Sequence, residues 1–448
     1  MTQCNTDVMQ WERQGRRRIE ADFNGGRLVS DGGLLLLREV DRQTGLTAAL
    51  ADCLSDPRDP AKIQHEQRTM LAQRIHAIAA GYEDGNDHLT LRSDPMLQLC
   101  AGVEPVEDAT LASPSTISRL ENRVTRADCV RMQEMLVDQF IASFAGQKPP
   151  EELILDFDAT DDPLHGEQEH RFFHGYYDCY CYLPLYVFCG DELLVAYLRP
   201  SKIDASKHTR AVLKLLVTKL RMVWPKVKIT IRGDSGFCRW RLMRWCDRHD
   251  VHYILGLSTN QRLKAISEPF MDQAEADFQR TQDKQRQFHE IRYGARTWDR
   301  RRRVIVKAER LTEGPNLRFI ITDLDGDPQH LYDKVYCQRG EMENRIKEQQ
   351  LDLFADRTSC SRMLANQFRL LLSSAAYVLI QTLRRTALKQ TELSKAQAGT
   401  IRLKLIKIAA RVLVSARRVV LHLSSSCPLQ PLFRQVARHL RIAAFDTS

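Results

Sequence analysis

Adjacent prolines at positions 149 and 150, in GQKPPEE, limit what this chain can become, because they stop a helix and force extended backbone. The hydrophobic period differs on either side. Beyond them ELILDFDAT reads as a buried strand, and DCYCYLPLYVFCG and ELLVAYLRP read as two more, joined by the tight turn CGDE. SKHTRAVLKLLVTKLRMVW is an amphipathic helix, KVKITIRGD a fourth strand, FCRWRLMRWCDRHD a helix and VHYILGLS a fifth strand. Three strands, then helix, strand, helix, strand, describe an α/β unit: a mixed sheet flanked by helices.

Residues 1–150 read mainly helical and are expected to form a helical N-terminal domain. LASPSTISRLENRV offers Ser113 or Ser115 as caps of a short helix that displays Ser118, Arg119, Asn122 and Arg123, a face as suited to DNA as to solvent. The α/β region is expected over 151–350. Within it 259–335 interrupts the order: NQRLKAISEPFMDQAEADFQR is polar and helix-prone, and the rest alternates like strands around a Gly-Pro-Asn turn, a β-rich insertion. Residues 351–448 carry an apolar helix around 363–385 and a basic remainder. There IRLKLIKIAARVLVSARRVVLHLS alternates apolar and basic residues, which suits a strand pair better than a helix, and PLFRQVARHLR closes as an amphipathic helix.

Charge narrows the function classes. The chain of 448 residues has 66 Lys+Arg against 57 Asp+Glu, a net charge of +9, which favours a polyanionic partner. Its distribution is more telling: from Leu393 to Phe445 there are ten Lys or Arg and no carboxylate, whereas 151–169 is crowded with Asp and Glu. Cations for phosphates together with carboxylates for metal describe a nucleic-acid enzyme; a membrane-surface protein would need only the cations. The start, MTQCNTDVMQWERQGRRR, has no apolar core of a secretion signal, and the apolar run at 370–383 is too short and interrupted to span a bilayer. Twelve cysteines, scattered and without a C-x-x-C pair, suit reduced thiols in a cytosolic protein with no membrane partner.

Chemistry gathers at strand ends. Asp158 closes the first strand, with Asp156 on the same face two residues earlier, and Asp234, in IRGDSGF, closes the fourth. In such sheets the carboxyl ends of strands are where ligands sit. A third carboxylate is available in YCQRGEMENRIKEQQ, where helical period aligns Tyr336, Arg339, Glu343, Lys347 and Gln350. A solvated face with ordinary pairing would explain that stripe too, but the two aspartates need a third ligand and Glu343 supplies one. Oxygen donors without histidine or cysteine suit Mg²⁺ or Mn²⁺. Two such ions ~4 Å apart can activate water or a 3′-hydroxyl and stabilise the leaving oxygen of a phosphoryl displacement. Arg339 and Lys347 could then hold phosphates of the cleaved strand, with Tyr336 stacking nearby. The run RRRR at 300–303 beside Trp298 is either a solvated strand face or a DNA contact through Arg301 and Arg302. His165, His170 and His174 are read as loop residues, and Asp161 and Asp162 as turn or cap residues.

DFDATD, IRGDSGF and the Y-x-x-R-x-x-x-E pattern of YCQRGEME resemble the DDE-type insertion-sequence transposases of bacteria, in the subgroup with a β-strand insertion before the glutamate. DDPLHG, YLPLYVF and DRTSCSRMLANQFRLLL match as well, so the resemblance runs from near residue 23 to past 420. It implies a ribonuclease-H-like catalytic domain whose metal ligands are Asp158, Asp234 and Glu343, the first chosen because D-A-T matches the family's Asp-small-Thr pattern, with Asp156 as the rival. It also implies double-stranded DNA partners, namely terminal inverted repeats and target DNA, hydrolytic cutting, joining of 3′ ends, a homodimer on DNA, and a bacterial cytoplasmic, nucleoid-associated location. The family's motif commonly carries a lysine seven residues after the glutamate, where this chain has Gln350; Lys347, one turn earlier, is the alternative.

Overall fold

The computed structural model describes residues 8–106 and 109–445, with side chains to residue 440. The opening stretch through Asp7, including Cys4, bears on the readings of a missing secretion signal and of reduced thiols and lies outside the described residues. The chain divides into two compact units, one from 1–123 with 375–448, the other 124–374. The paired prolines lie inside the second.

In the first unit the expected helices are present, including Leu34–Thr44, Gln67–Ala80 and Pro114–Arg123. They are preceded by strands that the helical reading did not contain. β1 (Met9–Gln14) and β2 (Arg17–Ala21) form an exposed hairpin, and β3 is Leu28–Val29. Alternating polar and apolar residues around Gly15 carry the hairpin, a signal hidden by the short length of both strands.

The second unit is built on a sheet that holds eight strands among the described residues: β4 (Glu152–Ala159), β8 (Leu185–Cys189), β9 (Glu192–Tyr197), β10 (Lys228–Gly233), β11 (Val251–Leu257), β12 (Gln285–Tyr293), β13 (Arg302–Leu311) and β14 (Gly314–Thr322). Their order is β12-β13-β14-β11-β10-β4-β8-β9. β10 runs parallel to both β4 and β11; every other pairing is antiparallel. The stretch read as one strand, DCYCYLPLYVFCG, is two, because Pro184 cannot continue the ladder. Its first half, β7 (Cys179–Tyr182), joins β5 (Asp162–Pro163) and β6 (Phe172–His174) in a small sheet of its own.

Helix Thr209–Val223 buries Leu213, Leu216, Val217 and Leu220, a stripe at helical spacing, against the inward residues of β4, β10 and β11. Trp240–Arg248 adds Leu242, Met243 and Cys246, and Arg126–Ala142 adds Val137 and Phe140. Residues 259–335 supply the helix Gln261–Thr281, capped by Asn260, and then β12 to β14, which continue the main sheet beyond β11. On the other face a smaller cluster joins Ile254, Ile305 and Ile320 to Leu331 and Tyr332. That contact seats a run of helical turns, Leu331–Tyr336, Cys337–Arg339, Gly340–Lys347 and Glu348–Asp352, whose π-type first and last parts widen the period.

Helix Met363–Thr386 is longer than the apolar run read from the sequence. By length and composition it could cross a membrane, but most of its apolar window is buried inside the protein. The basic stretch after it is helical over Ala398–Ile401 and Arg402–Ile406 before the expected pair appears as β15 (Ala410–Ser415) and β16 (Arg418–Leu423), with β3 alongside β15. Helix there is dictated by packing within the first unit: Leu405 and Ile406 are buried against Gly33, where a Cβ would lie 1.7 Å from the Leu405 carbonyl. Only glycine permits that approach. Part of the basic character is structural as well, since Lys407 pairs with the buried Asp31 at 2.7 Å.

Candidate active site

Asp158 and Asp234 end neighbouring parallel strands. β4 and β10 pair from Lys228↔Glu152 to Gly233↔Phe157, so both carboxylates emerge at the same edge of the sheet. Asp234 begins a single tight turn, and its carboxylate accepts the Gly236 N–H at 2.8 Å. Asp158 accepts the N–H of Ala159 at 2.9 Å. Glu343 comes from helix Gly340–Lys347 and reaches them through Arg339, one turn earlier: Arg339 Nη2 lies 2.6 Å from Glu343 and Nη1 lies 3.2 Å from Asp158.

Electrostatics mark the spot. Burial first, and then the neighbouring charges of Asp234 and Glu343, push the Asp158 carboxyl up to about 7 against the opposing pull of Arg339. Burial disfavours the charge of Arg339 too, but Asp158 and Glu343 outweigh it and hold the guanidinium more firmly protonated. The phenol of Tyr336 is raised, by burial and by Asp234. In kind, three carboxylates fit a hard divalent cation. In arrangement, no three His, Cys, Asp or Glu among the described residues are disposed to hold a metal ion, and the cation between Asp158 and Glu343 is Arg339.

Asp156, the rival ligand, is spent elsewhere. It is buried in a two-toothed ion pair with Arg232, directly opposite on β10, with one contact of 2.7 Å. Arg232 also donates to the carbonyl of Val335, which ties this pair to the residue before Tyr336. Arg232 went unnoticed in the sequence, although an arginine inside the apolar strand KITIRG must find a buried acid and so signals one. Gly256 was also missed. A Cβ there would lie 2.7 Å from the Tyr336 hydroxyl and 2.8 Å from the Ser235 nitrogen, so its absence lets both the Asp234 turn and Tyr336 approach β11. A glycine inside a strand is the available signal for such an approach.

Gln350, at the position of the family's lysine, donates its amide to the Asp161 carbonyl and to Asp162, each at 3.0 Å. Asp162 is fully buried, which raises its carboxyl well above the usual range, and Gln350 opposes that shift. Lys347 is exposed.

The basic residues proposed for DNA separate into groups. Arg301 is exposed. Arg302 is not a DNA contact: it is 2% exposed, paired with Asp247 at 2.8 Å and bonded to the Tyr253 hydroxyl at 2.7 Å, because its position on β13 points it into the sheet core. In the first unit Arg119 is exposed, whereas Arg123 is drawn to Gln67 at 2.9 Å and Asp56 at 3.6 Å.

A model of the family "Transposase DDE domain group 1" matches residues 11–444. The chain belongs to the DDE transposases. It is thus an enzyme of DNA transposition and recombination, with DNA as its partner, in a family that generally uses divalent metal ions. Among solved structures, a piggyBac transposase in its synaptic complex with hairpin DNA aligns with this transposase at a TM-score of 0.40 and 11% identity, over 93% of this chain and 82% of that one. No curated protein matches it.

Proposed function

We propose that this DDE transposase is that of a bacterial insertion sequence, acting in the cytoplasm on the nucleoid: it binds the element's terminal inverted repeats, hydrolyses the strand at each end and joins the freed 3′ ends to target DNA. The observation that carries the reading is the meeting of Asp158 and Asp234, from adjacent parallel strands, with Glu343 across the same sheet edge through Arg339. The order β9-β8-β4-β10-β11, three antiparallel strands followed by two parallel additions with helices between, supports a ribonuclease-H-like catalytic core over 151–350. Residues 1–150 and the basic 351–448 then serve DNA binding.

Asp158, Asp234 and Glu343 would hold Mg²⁺ or Mn²⁺, two ions in the fullest form of the reading, and the bound metal would supply Lewis-acid activation of water or a 3′-hydroxyl. The chain's own contributions are positional. Gly236 orients Asp234, Ala159 orients Asp158, and the Asp156–Arg232 pair anchors the segment carrying Tyr336 and Arg339. Arg339 is the cation closest to the carboxylates and so the one available to a phosphate oxygen. Concerted cutting of two ends calls for a homodimer on DNA.

The test is incubation of the purified protein with DNA bearing the inverted repeats that flank its gene, in Mn²⁺. Nicked and joined products are expected. Nicks without joining would make it a nuclease, and binding without nicks a decayed DNA-binding protein.

A further inference from the structure

The connection between β4 and β8 holds aromatic rings that neither the core nor the carboxylates use. Phe173 and Tyr180 face each other across β6 and β7, are 53% and 43% exposed, and meet edge to face at 5.5 Å. Arg171 lies over the Tyr180 ring at 4.1 Å while pairing with Glu167. At the turn Tyr176 is 85% exposed and rests edge-on against Tyr177 at 5.0 Å. Tyr177 fixes the turn to the active site: its hydroxyl donates to the carbonyl of Ala159, the residue after Asp158, at 3.3 Å. On the inner side the exposed Lys202 stands 5.3 Å from the Phe172 ring.

Three exposed rings in one short hairpin are a contact surface. Their partner follows from two features of this surface. Arg171 beside Tyr180 and Lys202 beside Phe172 supply cations for phosphates, and flat apolar faces accept any nucleobase once its own stacking partner is gone. The anchor at Ala159 ties the hairpin to the residue that follows Asp158. We infer that Phe173, Tyr176 and Tyr180 form a stacking platform for unpaired nucleobases of the DNA strand that this enzyme cuts. The inference rests on the transposase reading of the neighbouring site.

Binding of the full-length protein to a short single strand carrying 2-aminopurine, and to the same sequence as a blunt duplex, tests it in EDTA, where no cutting occurs. The wild-type protein is expected to quench the unpaired 2-aminopurine. Tyr176→Ala and Phe173→Ala should each weaken single-strand binding roughly tenfold, leave duplex binding unchanged, and lose the quenching; Tyr176→Trp should retain it. Equal losses on both probes, or no loss on either, would overturn the platform while leaving the transposase reading intact. An alanine variant that changes self-association and not single-strand binding would assign the face to protein contact and also overturn it. A wild-type protein that binds neither probe would overturn the platform, whereas the transposase reading is tested separately by cleavage of the terminal repeats.

Discussion

Arg339 stands between Asp158 and Glu343, with contacts of 3.2 and 2.6 Å, and so balances within the protein the charge that a divalent ion would balance from outside. Arg339→Gln should leave those carboxylates and Asp234 to repel one another. Unfolding in EDTA should then occur at lower urea, by about 1–3 kcal/mol, and Mn²⁺ should restore more stability to the variant than it adds to the wild type. Equal Mn²⁺ effects in the two proteins would show that Arg339 does not occupy the cation's place.

Asp156 and Asp158 lie two residues apart and should fail differently. Asp156→Asn breaks a buried pair and strands Arg232, at a cost of about 3–5 kcal/mol in unfolding free energy, read from urea titration. Asp158→Asn should abolish cleavage while leaving DNA binding and fold in place. A soluble, stable and inactive Asp156→Asn would transfer the ligand role to Asp156.

The raised carboxyl of Asp158 has a sign that can be checked. Unfolded, the group loses its proton near 3.8; folded, near 7. Between those values the folded state holds a proton the unfolded state lacks, so stability from this group is full below the lower value and declines as pH rises through about 7. The melting temperature in EDTA should therefore fall between about pH 4 and 7 more steeply for the wild type than for Asp158→Asn. Parallel profiles would count against the shift.

Arg301 and Arg302 are neighbours with opposite fates. If Arg301 meets phosphate, Arg301→Ala should reduce the slope of log affinity against log salt by about 0.9. Arg302→Ala should leave that slope alone and lower stability by about 1–3 kcal/mol, since it removes the buried guanidinium shared by Asp247 of helix Trp240–Arg248 and the Tyr253 hydroxyl, while Arg300 still pairs with Asp247. A reduced slope for Arg302→Ala in a stable protein would contradict its burial.

Gly256→Ala should act on cleavage through geometry. The added methyl meets the backbone of Asp234 and Ser235, which cannot swing away as a flexible side chain would. The expected cost in stability is about 1–3 kcal/mol, with a larger loss of cleavage than of DNA binding. Full cleavage at the wild-type rate would show that the Asp234 turn tolerates displacement.

Much of this was legible in the sequence because period and strand ends are local properties. The β4, β10 and β11 strands, their helices and Asp158, Asp234 and Glu343 were named from runs such as ELILDFDAT and KITIRGD. What escaped depends on residues distant in sequence. The burial of Arg302 is decided by Asp247, and the engagement of Asp156 by Arg232 on the adjoining strand. Residues 401–406 keep a strand-like alternation yet turn helical, because Gly33 leaves room for that backbone. Local preference yields there to packing.

The segment 259–335 is no detachable appendage. β14 lies against β11 through Ile254↔Thr322 and the pairs that follow, which makes β11 an interior strand. A shortened chain lacking β12 to β14 would turn that strand into an open edge, with Val251, Tyr253 and Leu255 beside unpaired amides and carbonyls. Such a protein would be lost first to edge-to-edge aggregation, so any attempt to trim the enzyme to a smaller cutting core meets a solubility limit before a catalytic one.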